Sequence, residues 1–265
     1  TGTAHGKRVQ ALGGAKNHMI VMPDADPEKV AQAAAASGYS NAGQVCISTQ
    51  RVIAHEKIYG DFLDAFKSQV EQISIGDPLD EPTKMGPMIR ESDAARVSEW
   101  IQDAVNAGAK LVTGGEKHDQ FVTPTILADV KPDMRISCDE VFGPAVGVTR
   151  VADIDEAIAL ANDTNYGLSA AIFTENINWA MRFVREVDSG NLMVNWGTQW
   201  RERGAVLFTC FRSGCPGMVC TGSGPDTALR SGGAGGGPRG RPAADDHCRR
   251  ARSAARALRH AGAVG

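Results

Sequence analysis

Residues 40–48 read SNAGQVCIS and place one cysteine, Cys46, in a polar stretch that follows a predicted helix. Most free cysteines are small buried thiols, so Cys46 taken alone does not identify a nucleophile. Asn41 and Gly43 predict an irregular backbone that would display the thiol. Since backbone N–H groups around such a turn favour a thiolate and stabilise an oxyanion, the stretch predicts a reactive cysteine.

Strand and helix signals alternate on both sides of this stretch. We predict strands at residues 19–22, 51–55, 111–112, 123–126, 145–151, 168–173 and 192–195. We predict helices at residues 29–36, 58–73, 92–107, 154–161 and 177–187. Asp26 or Pro27 opens the first helix, because a proline suits the first helical turn. The alternation predicts an α/β fold with a mostly parallel sheet flanked by helices.

The composition is that of an ordinary soluble globular protein, with 265 residues, 42% of them hydrophobic and 22% charged. A formal net charge of -3 gives no reason to expect binding to nucleic acid or to an anionic membrane. We see no membrane-spanning apolar run and no signal peptide. Six cysteines in a chain of this length do not resemble a secreted disulfide framework, which predicts a cytoplasmic location. The histidines and cysteines show no metal-ligand spacing, so no metal site is predicted.

The composition changes sharply at Arg201. Residues 1–201 contain all nine lysines and nine of the nineteen arginines, whereas residues 202–265 contain ten arginines and no lysine. The same tail holds thirteen of the thirty glycines and has no long apolar periodicity. We therefore predict a folded unit that ends at residue 201 and a largely disordered Gly/Arg-rich tail over residues 202–265.

Residues 1–201 resemble the aldehyde dehydrogenase superfamily in four motifs that follow the family's order. The nucleophile motif, N-x-G-Q-x-C-x-S/T, is matched within residues 40–48. Residues 11–14 (ALGG) match E-L-G-G, residues 140–144 (EVFGP) match E-[IV]-F-G-P, and residues 189–195 (SGNLMVN) match S-G-x-x-x-x-N. The resemblance implies a catalytic domain at residues 11–201. It also implies that residues 1–10 are the end of a cofactor-binding domain that is missing here.

The resemblance implies a mechanism as well. Cys46 attacks the aldehyde carbon, its backbone N–H helps to hold the oxyanion, and hydride transfer to NAD or NADP leaves a thioester. The family's asparagine partner for the oxyanion lies upstream of this chain. Glu140 matches the residue that contacts the nicotinamide ribose, Phe142 the residue beside the nicotinamide ring, and Leu12 a further cofactor contact. Without the resemblance, Glu140 would be read as a surface acid and Phe142 as a core residue. Residues 1–201 contain no phosphate-binding G-x-G-x-x-G or Walker loop, so a nucleotide site made by this chain alone would be incomplete.

Ala11 stands where hydrolytic members of the family carry a glutamate that activates water, and alanine cannot act as a base. Residues 6–26 look most like methylmalonate-semialdehyde dehydrogenase, whose branch transfers the acyl group to coenzyme A. We therefore expect oxidation of a semialdehyde with release of the acyl group by coenzyme A. Val45 favours a different branch, because an apolar residue cannot pair with a substrate carboxylate. The sequence GQVCIS looks more like lactaldehyde and phosphonoacetaldehyde enzymes, so a hydrolytic release stays open.

The sequence after residue 201 departs from the family pattern. The family is homo-oligomeric, and the closing strand that serves oligomerisation is replaced here, so we expect it to be lost. We attribute the tail to a shifted reading frame or another aberrant origin. One alternative function is an inactive truncated remnant without the cofactor domain, and another is a basic-tailed interaction module. The expected partner is a small-molecule aldehyde.

Overall fold

The computed structural model describes residues 13–199 and 207–208, which form ten strands and six helices. The strands are β1 (Asn17–Val21), β2 (Thr49–His55), β3 (Lys110–Thr113), β4 (Lys117–His118), β5 (Phe121–Val122), β6 (Thr125–Ala128), β7 (Ala145–Val151), β8 (Ser169–Phe173), β9 (Asn191–Val194) and β10 (Leu207–Phe208). The helices are α1 (Pro27–Tyr39), α2 (Tyr59–Glu71), α3 (Glu91–Asn106), α4 (Arg135–Cys138), α5 (Ile154–Asn162) and α6 (Ile177–Glu186). A short 3-10 helix, Ser40–Gly43, follows α1 directly.

Eight of these strands form one sheet in the order β10-β9-β8-β1-β2-β7-β6-β3. Only the two edge pairs are antiparallel, β3 with β6 and β10 with β9, while the remaining neighbours run parallel. Strands β4 and β5 pair separately as a small antiparallel ribbon. The predicted α/β fold with a mostly parallel sheet is confirmed.

Helix α1 begins as its sequence predicts. The Asp26 carboxylate accepts hydrogen bonds from the backbone N–H groups of Glu28 and Lys29, and Pro27 occupies the first turn. These bonds satisfy donors that a helix start otherwise leaves unpaired, and proline has no N–H to lose there. The helix therefore starts at the end of the loop that leaves β1, and its other end delivers the chain to residues 40–48.

The core has two layers, one on each face of the sheet. Along β1, Met19 and Val21 belong to one hydrophobic cluster and Ile20 to the other, as expected when successive side chains of a strand point to opposite faces. The first cluster includes Phe62 and Phe66 of α2, whose predicted apolar face is buried. The second cluster includes residues of α5 and α6. Burial on both faces agrees with the short apolar strands of the sequence.

The predicted elements agree with the structure to within a few residues, and β7 agrees at both ends. The sequence predicts neither α4, the β4–β5 ribbon and the 3-10 helix nor β10, which lies in the tail expected to be disordered. These elements are two to four residues long. They are too short to contain a period of hydrophobic residues, which is the signal that predicts the longer elements.

Several predictions concern residues near the ends of the chain. Ala11 and Leu12 lie outside the described residues, as does the tail apart from Leu207–Phe208, which forms β10 against β9. No helix in the described part of the chain has the length and apolarity needed to cross a membrane. Within residues 13–199 and 207–208, no group of three or more His, Cys, Asp or Glu side chains is arranged to hold a metal ion.

Candidate active site

Cys46 lies in a tight turn between the end of α1 and the start of β2. In the Cys46 turn (residues 45–48), the N–H of Ser48 donates to the carbonyl oxygen of Val45 over 2.9 Å, which closes the turn. Cys46 is exposed, and Ser48 is buried. The predicted display of a single thiol on an irregular segment is confirmed in its geometry.

Three residues with positive φ precede this turn. Asn41 has φ 53°, Ala42 has φ 53° and Gly43 has φ 68°. These three left-handed residues prevent α1 from continuing and change the direction of the chain. Left-handed backbone of this kind is costly for alanine and is easily adopted only by glycine and asparagine. The sequence predicts irregular backbone from Asn41 and Gly43, but gives no sign that Ala42 is also left-handed.

Gly43 brings the nucleophile stretch into backbone contact with the Glu140 segment (residues 140–144). A Cβ atom at Gly43 would lie 2.2 Å from the carbonyl oxygen of Gly143, so only glycine fits this crossing. Gly143 is itself confined, because a Cβ there would lie 2.5 Å from a methyl group of Val97. Two motifs about a hundred residues apart in the chain therefore meet at their glycines.

Gln44 secures the chain between the crossing and the turn. Its side chain is buried, accepts the N–H of Ile89 over 2.9 Å and donates to the carbonyl oxygen of Asn41 over 3.2 Å. The Asn41 amide donates in return to the carbonyl oxygen of Gln44 over 3.3 Å. These reciprocal bonds satisfy the polar groups of a segment that has no helix or strand partner.

Two buried side chains support the Cys46 turn from below. Asn17 of β1 donates to the carbonyl oxygens of Cys46 and Ser48, each over 2.8 Å. Thr198 donates to the carbonyl oxygen of Ile47 over 2.8 Å. Neither residue could be predicted from the sequence, since neither lies in the nucleophile motif and the contacts join distant parts of the chain.

Glu140 lies half-buried beside Gly14. A Cβ atom at Gly14 would lie 2.6 Å from a carboxylate oxygen of Glu140 and 3.2 Å from the ring of Tyr166, so the absence of a side chain leaves the carboxylate its space. Burial raises the pKa of Glu140, while the backbone N–H of Ala15 and the positive charges of Lys16 and Arg96 oppose that rise. The ALGG and EVFGP motifs are thereby in contact.

Phe142 has φ 44°, which is strained for a bulky aromatic residue and must be imposed by its surroundings. The preceding residue is held at both backbone groups. Its N–H, that of Val141, donates to the Gln50 side chain over 2.8 Å, and its carbonyl oxygen accepts from Arg96 over 2.9 Å. The predicted aromatic position is thus fixed through its neighbour.

A buried amine lies under the same segment. Lys16 is 2% exposed and donates to the carbonyl oxygen of Ile136 over 2.7 Å and to the Gln50 side chain over 3.2 Å. Burial, and then the charge of Arg51, lowers the pKa of Lys16 well below its usual value, while Asp139 and Glu140 oppose this. Gln50 also donates to the carbonyl oxygen of Ala15 over 3.0 Å, so Lys16 and Gln50 tie β1 and β2 to the chain that leads to Glu140.

The fourth motif reaches the site through the residues that follow it. Strand β9 ends at Val194, Asn195 turns the chain with φ 55°, and Thr198 then contacts the Cys46 turn. A groove of about 590 Å³ runs along the outer side of α1 and is bordered by Trp196 and Gln199, but Cys46 and Glu140 do not line it. The candidate site is therefore defined by the meeting of the four motifs and not by this groove.

The comparisons with known proteins agree with this arrangement. The family model described as "Aldehyde dehydrogenase family" matches residues 1–215. A 3-sulfolactaldehyde dehydrogenase of Priestia aryabhattai is 45% identical over 182 residues, which are 69% of this chain and 38% of that protein. Malonate-semialdehyde dehydrogenase 1 of Oceanobacillus iheyensis is 38% identical over 201 residues, which are 74% of this chain and 41% of that protein.

A solved structure shows the same similarity in three dimensions. The crystal structure of an NAD-dependent aldehyde dehydrogenase from Sinorhizobium meliloti matches with a TM-score of 0.72 and 35% identity, over 75% of this chain and 40% of that chain. The chain spans about two fifths of the length of the curated relatives reported above. The family match runs past Arg201, where the sequence analysis places the end of the folded unit.

Proposed function

The chain belongs to the aldehyde dehydrogenase family, and on that premise we propose that Cys46 is the nucleophile of an NAD(P)-dependent aldehyde oxidation. One observation carries the proposal. The exposed Cys46 lies on a turn whose preceding glycine crosses the backbone of the segment that bears Glu140 and Phe142. A displayed thiol beside a carboxylate and an aromatic ring suits covalent catalysis next to a bound cofactor.

In this mechanism the Cys46 thiolate attacks the aldehyde carbon and forms a thiohemiacetal. The carbonyl oxygen becomes an oxyanion, and the backbone N–H of Cys46 is the donor of this chain that would stabilise it. A nicotinamide cofactor, when bound, accepts the hydride that leaves this carbon. Cys46 then carries the acyl group as a thioester, which an acyl acceptor removes.

The described residues fit a nicotinamide nucleotide. The absence of a side chain at Gly14 lets the Glu140 carboxylate occupy its position, and a carboxylate accepts hydrogen bonds from ribose hydroxyl groups. Phe142 would supply an aromatic face beside the ring, and Lys16 and Gln50 would hold the backbone that presents both residues. Leu12 is proposed as a further contact on its motif alone.

We further propose that coenzyme A removes the acyl group. Ala11 replaces the glutamate that activates water in hydrolytic members, and a thiol needs less activation than water. Relatives named malonate-semialdehyde dehydrogenases support a small aldehyde that bears an acid group. A hydrolytic enzyme of the lactaldehyde type is the second candidate, because Val45 precedes the nucleophile and the 3-sulfolactaldehyde dehydrogenase is 45% identical.

The test compares the 265-residue chain with a longer protein, in which the part of the Priestia enzyme that precedes the matched region is joined to residue 1. Each protein receives NAD and one aldehyde, either malonate semialdehyde, 3-sulfolactaldehyde or lactaldehyde, with and without coenzyme A. Formation of reduced nicotinamide is followed by absorbance, and the acyl product by mass spectrometry. We expect turnover by the longer protein and at least about 100-fold less by the 265-residue chain, because hydride transfer needs a cofactor held in place.

The controls separate the parts of this proposal. Cys46→Ala should abolish turnover, whereas Cys248→Ala should leave it unchanged, and turnover that survives Cys46→Ala would show that another group is the nucleophile. An acyl-coenzyme A product supports thiolysis, and a free acid formed at the same rate without coenzyme A supports the hydrolytic candidate. A longer protein that folds without any turnover supports the inactive remnant.

A further inference from the structure

The Cys46 turn has an unusual number of fixed carbonyl groups. The carbonyl oxygen of Val45 accepts from the N–H of Ser48, and those of Cys46, Ile47 and Ser48 accept from buried side chains. Four consecutive carbonyl oxygens therefore have a defined partner. The turn is held in one conformation although Cys46 itself is exposed.

The side chains of Asn17 and Thr198, which supply these bonds, are themselves held in place. Asn17 is 1% exposed, uses both amide hydrogens on the turn and accepts the N–H of Ser169 of β8 over 3.1 Å. Thr198 is also 1% exposed, and its carbonyl oxygen accepts from the Ser169 hydroxyl over 2.9 Å. Both supports are anchored to the same strand, so they cannot shift independently of the sheet.

The direction of these bonds determines the direction of the turn's N–H groups. In a planar trans peptide, the C=O and N–H groups point in opposite directions. The carbonyl groups bonded to Asn17 and Thr198 face the interior. The carbonyl group of Cys46 shares a peptide plane with the N–H of Ile47, and that of Ile47 shares one with the N–H of Ser48. These bonds therefore orient both N–H groups. The N–H of Ser48 in turn fixes the Val45 carbonyl group, and with it the N–H of Cys46.

We propose that Asn17 and Thr198 are positioning residues, which orient the N–H groups of Cys46 and Ile47 to stabilise the oxyanion of a tetrahedral adduct of Cys46. The inference rests on the proposed role of Cys46 as nucleophile, and extends it to residues outside the nucleophile motif. Thr198 controls the N–H of Cys46 through the peptide between Ile47 and Ser48. Asn17 orients the same turn through its bonds to the carbonyl groups of Cys46 and Ser48.

Thr198 allows a clean substitution. Its hydroxyl lies 2.8 Å from the Thr49 hydroxyl, which in turn lies 2.7 Å from the Ser37 hydroxyl. In Thr198→Val, Thr49 keeps Ser37 as a partner, and the carbonyl oxygen of Ile47 is the group that loses its bond. Thr198→Ser keeps the hydroxyl. Thr49→Val is the matched control, because Thr49 is equally buried in the same chain of hydroxyls but does not donate to the Cys46 turn.

The experiment compares two reactions of Cys46 in the full 265-residue chain. With p-nitrophenyl acetate, the thiolate adds to the acetyl carbon, a C–S bond forms, the ester C–O bond breaks and p-nitrophenolate leaves, so an oxyanion develops on the way. With iodoacetamide, the thiolate displaces iodide at a saturated carbon and no oxyanion develops. Peptide mass spectrometry measures both modifications at Cys46, with added glutathione as the reference thiol in the same sample.

We expect Thr198→Val to slow acetylation of Cys46 by about tenfold, since misplacing an oxyanion donor costs less than the 100-fold or more that follows its removal. Alkylation should change by less than about twofold, because its transition state has no oxyanion. Thr198→Ser and Thr49→Val should leave both rates within about twofold of the starting chain, because each keeps a bond to the Ile47 carbonyl group. Asn17→Ala should also slow acetylation more than alkylation.

A thermal unfolding transition shows whether the Thr198→Val variant is folded. If the folded variant slows both reactions equally, or slows neither, the proposal is overturned. If Thr198→Val does not fold, Thr198→Ala, which replaces the contact by a small cavity, is judged by the same ratio of rates. Neither reaction uses a nicotinamide cofactor. The result is therefore independent of whether the longer protein oxidises aldehydes.

Discussion

The Cys46 turn and the Glu140 segment meet at one backbone crossing, but they are stabilised differently. The Cys46 turn is supported from beneath by neutral donors, Asn17 and Thr198, and its cysteine is exposed. The Glu140 segment lies over a buried amine, Lys16, and its carboxylate is half-buried. A thiol that must attack an external carbon needs access, whereas a carboxylate that accepts hydroxyl groups gains from a partly desolvated position.

The comparison of the Cys46 turn with the Glu140 segment separates the residues proposed to act chemically from the residues that position them. Cys46 and Glu140 carry the side chains proposed as nucleophile and cofactor contact, but Gly14, Gly43 and Gly143 decide whether the segments can approach each other. Gln44 lies within the nucleophile motif, but other side chains that fix the two backbones, among them Gln50, lie outside the quoted motifs. A motif therefore contains both the functional side chain and the glycines that allow its backbone to fit. Other side chains that hold this backbone in place lie elsewhere in the sequence.

Gly43→Ala should disrupt both segments and have the largest effect. The new Cβ would meet the carbonyl oxygen of Gly143 at 2.2 Å, at a backbone position with φ 68°. We expect a loss of roughly 3 kcal/mol or more in the free energy of unfolding, from overpacking together with left-handed backbone strain. Urea denaturation measures it. Gly60→Ala on α2, where no atom lies within 4 Å, should be neutral or stabilising, and an equal loss there would contradict the explanation.

Gln50→Leu should loosen the Glu140 segment and spare the Cys46 turn. It removes the acceptor of the Val141 N–H and the donor to the Ala15 carbonyl oxygen, and burying unpaired groups of this kind costs about 2 to 3 kcal/mol. Hydrogen exchange at the Val141 amide should accelerate, while alkylation of Cys46 should not change. Gln72→Leu, at an exposed glutamine, is the control. Altered alkylation in Gln50→Leu would show that the two segments are not independently supported.

Acid should weaken β1, which lies beneath both segments. Burial, and then the charge of Arg51, lowers the pKa of His18 from 6.5 to about 3, so the folded chain keeps the ring neutral while the unfolded chain takes up a proton. Stability from this residue is complete above pH 6.5 and falls as the pH decreases towards 3, by roughly 2 kcal/mol at pH 5. His18→Leu should flatten this part of the pH dependence of unfolding. Exposed His118→Gln should not, and an unchanged slope in His18→Leu would refute the assignment.

Asp26→Ala should have the smallest effect, because it changes neither the Cys46 turn nor the Glu140 segment. Asp26 caps the far end of α1, so its loss should lower the Tm by about 2 to 4 °C without slowing acetylation of Cys46. Lys29→Ala removes only the exposed ion pair with Asp26 and keeps the cap, so its Tm should fall less. A slower acetylation in Asp26→Ala would mean that helix stability alone controls the Cys46 turn.

Much of the fold could be predicted because its elements follow periods. Apart from β10, the strands of the sheet contain short apolar runs, the four longer helices after α1 carry apolar residues on one face, and Asp26–Pro27 marks a helix start. The family motifs further predicted Cys46, Glu140 and Phe142 as site residues. The structure brings the segments that carry them together, and their chemical roles stay predictions.

The supports could not be predicted for a physical reason. Asn17 contacts the Cys46 turn across 29 and 31 residues, and Thr198 contacts it across 151 residues. A single asparagine or threonine in a strand or loop has no local pattern that reveals such a partner. Likewise, the left-handed conformations of Ala42 and Phe142 oppose the intrinsic preference of these residues, so no local pattern predicts them.

The long span of the contacts beneath the Cys46 turn has a consequence in time. Ser169 and Thr198 are synthesised long after Cys46, and at 5–20 residues per second this delay is roughly 8 to 30 seconds. During that interval the nascent chain carries the complete nucleophile stretch without the groups that orient it. On the proposal that Asn17 and Thr198 orient the Cys46 turn, the thiol would reach its full reactivity only after the central sheet has closed.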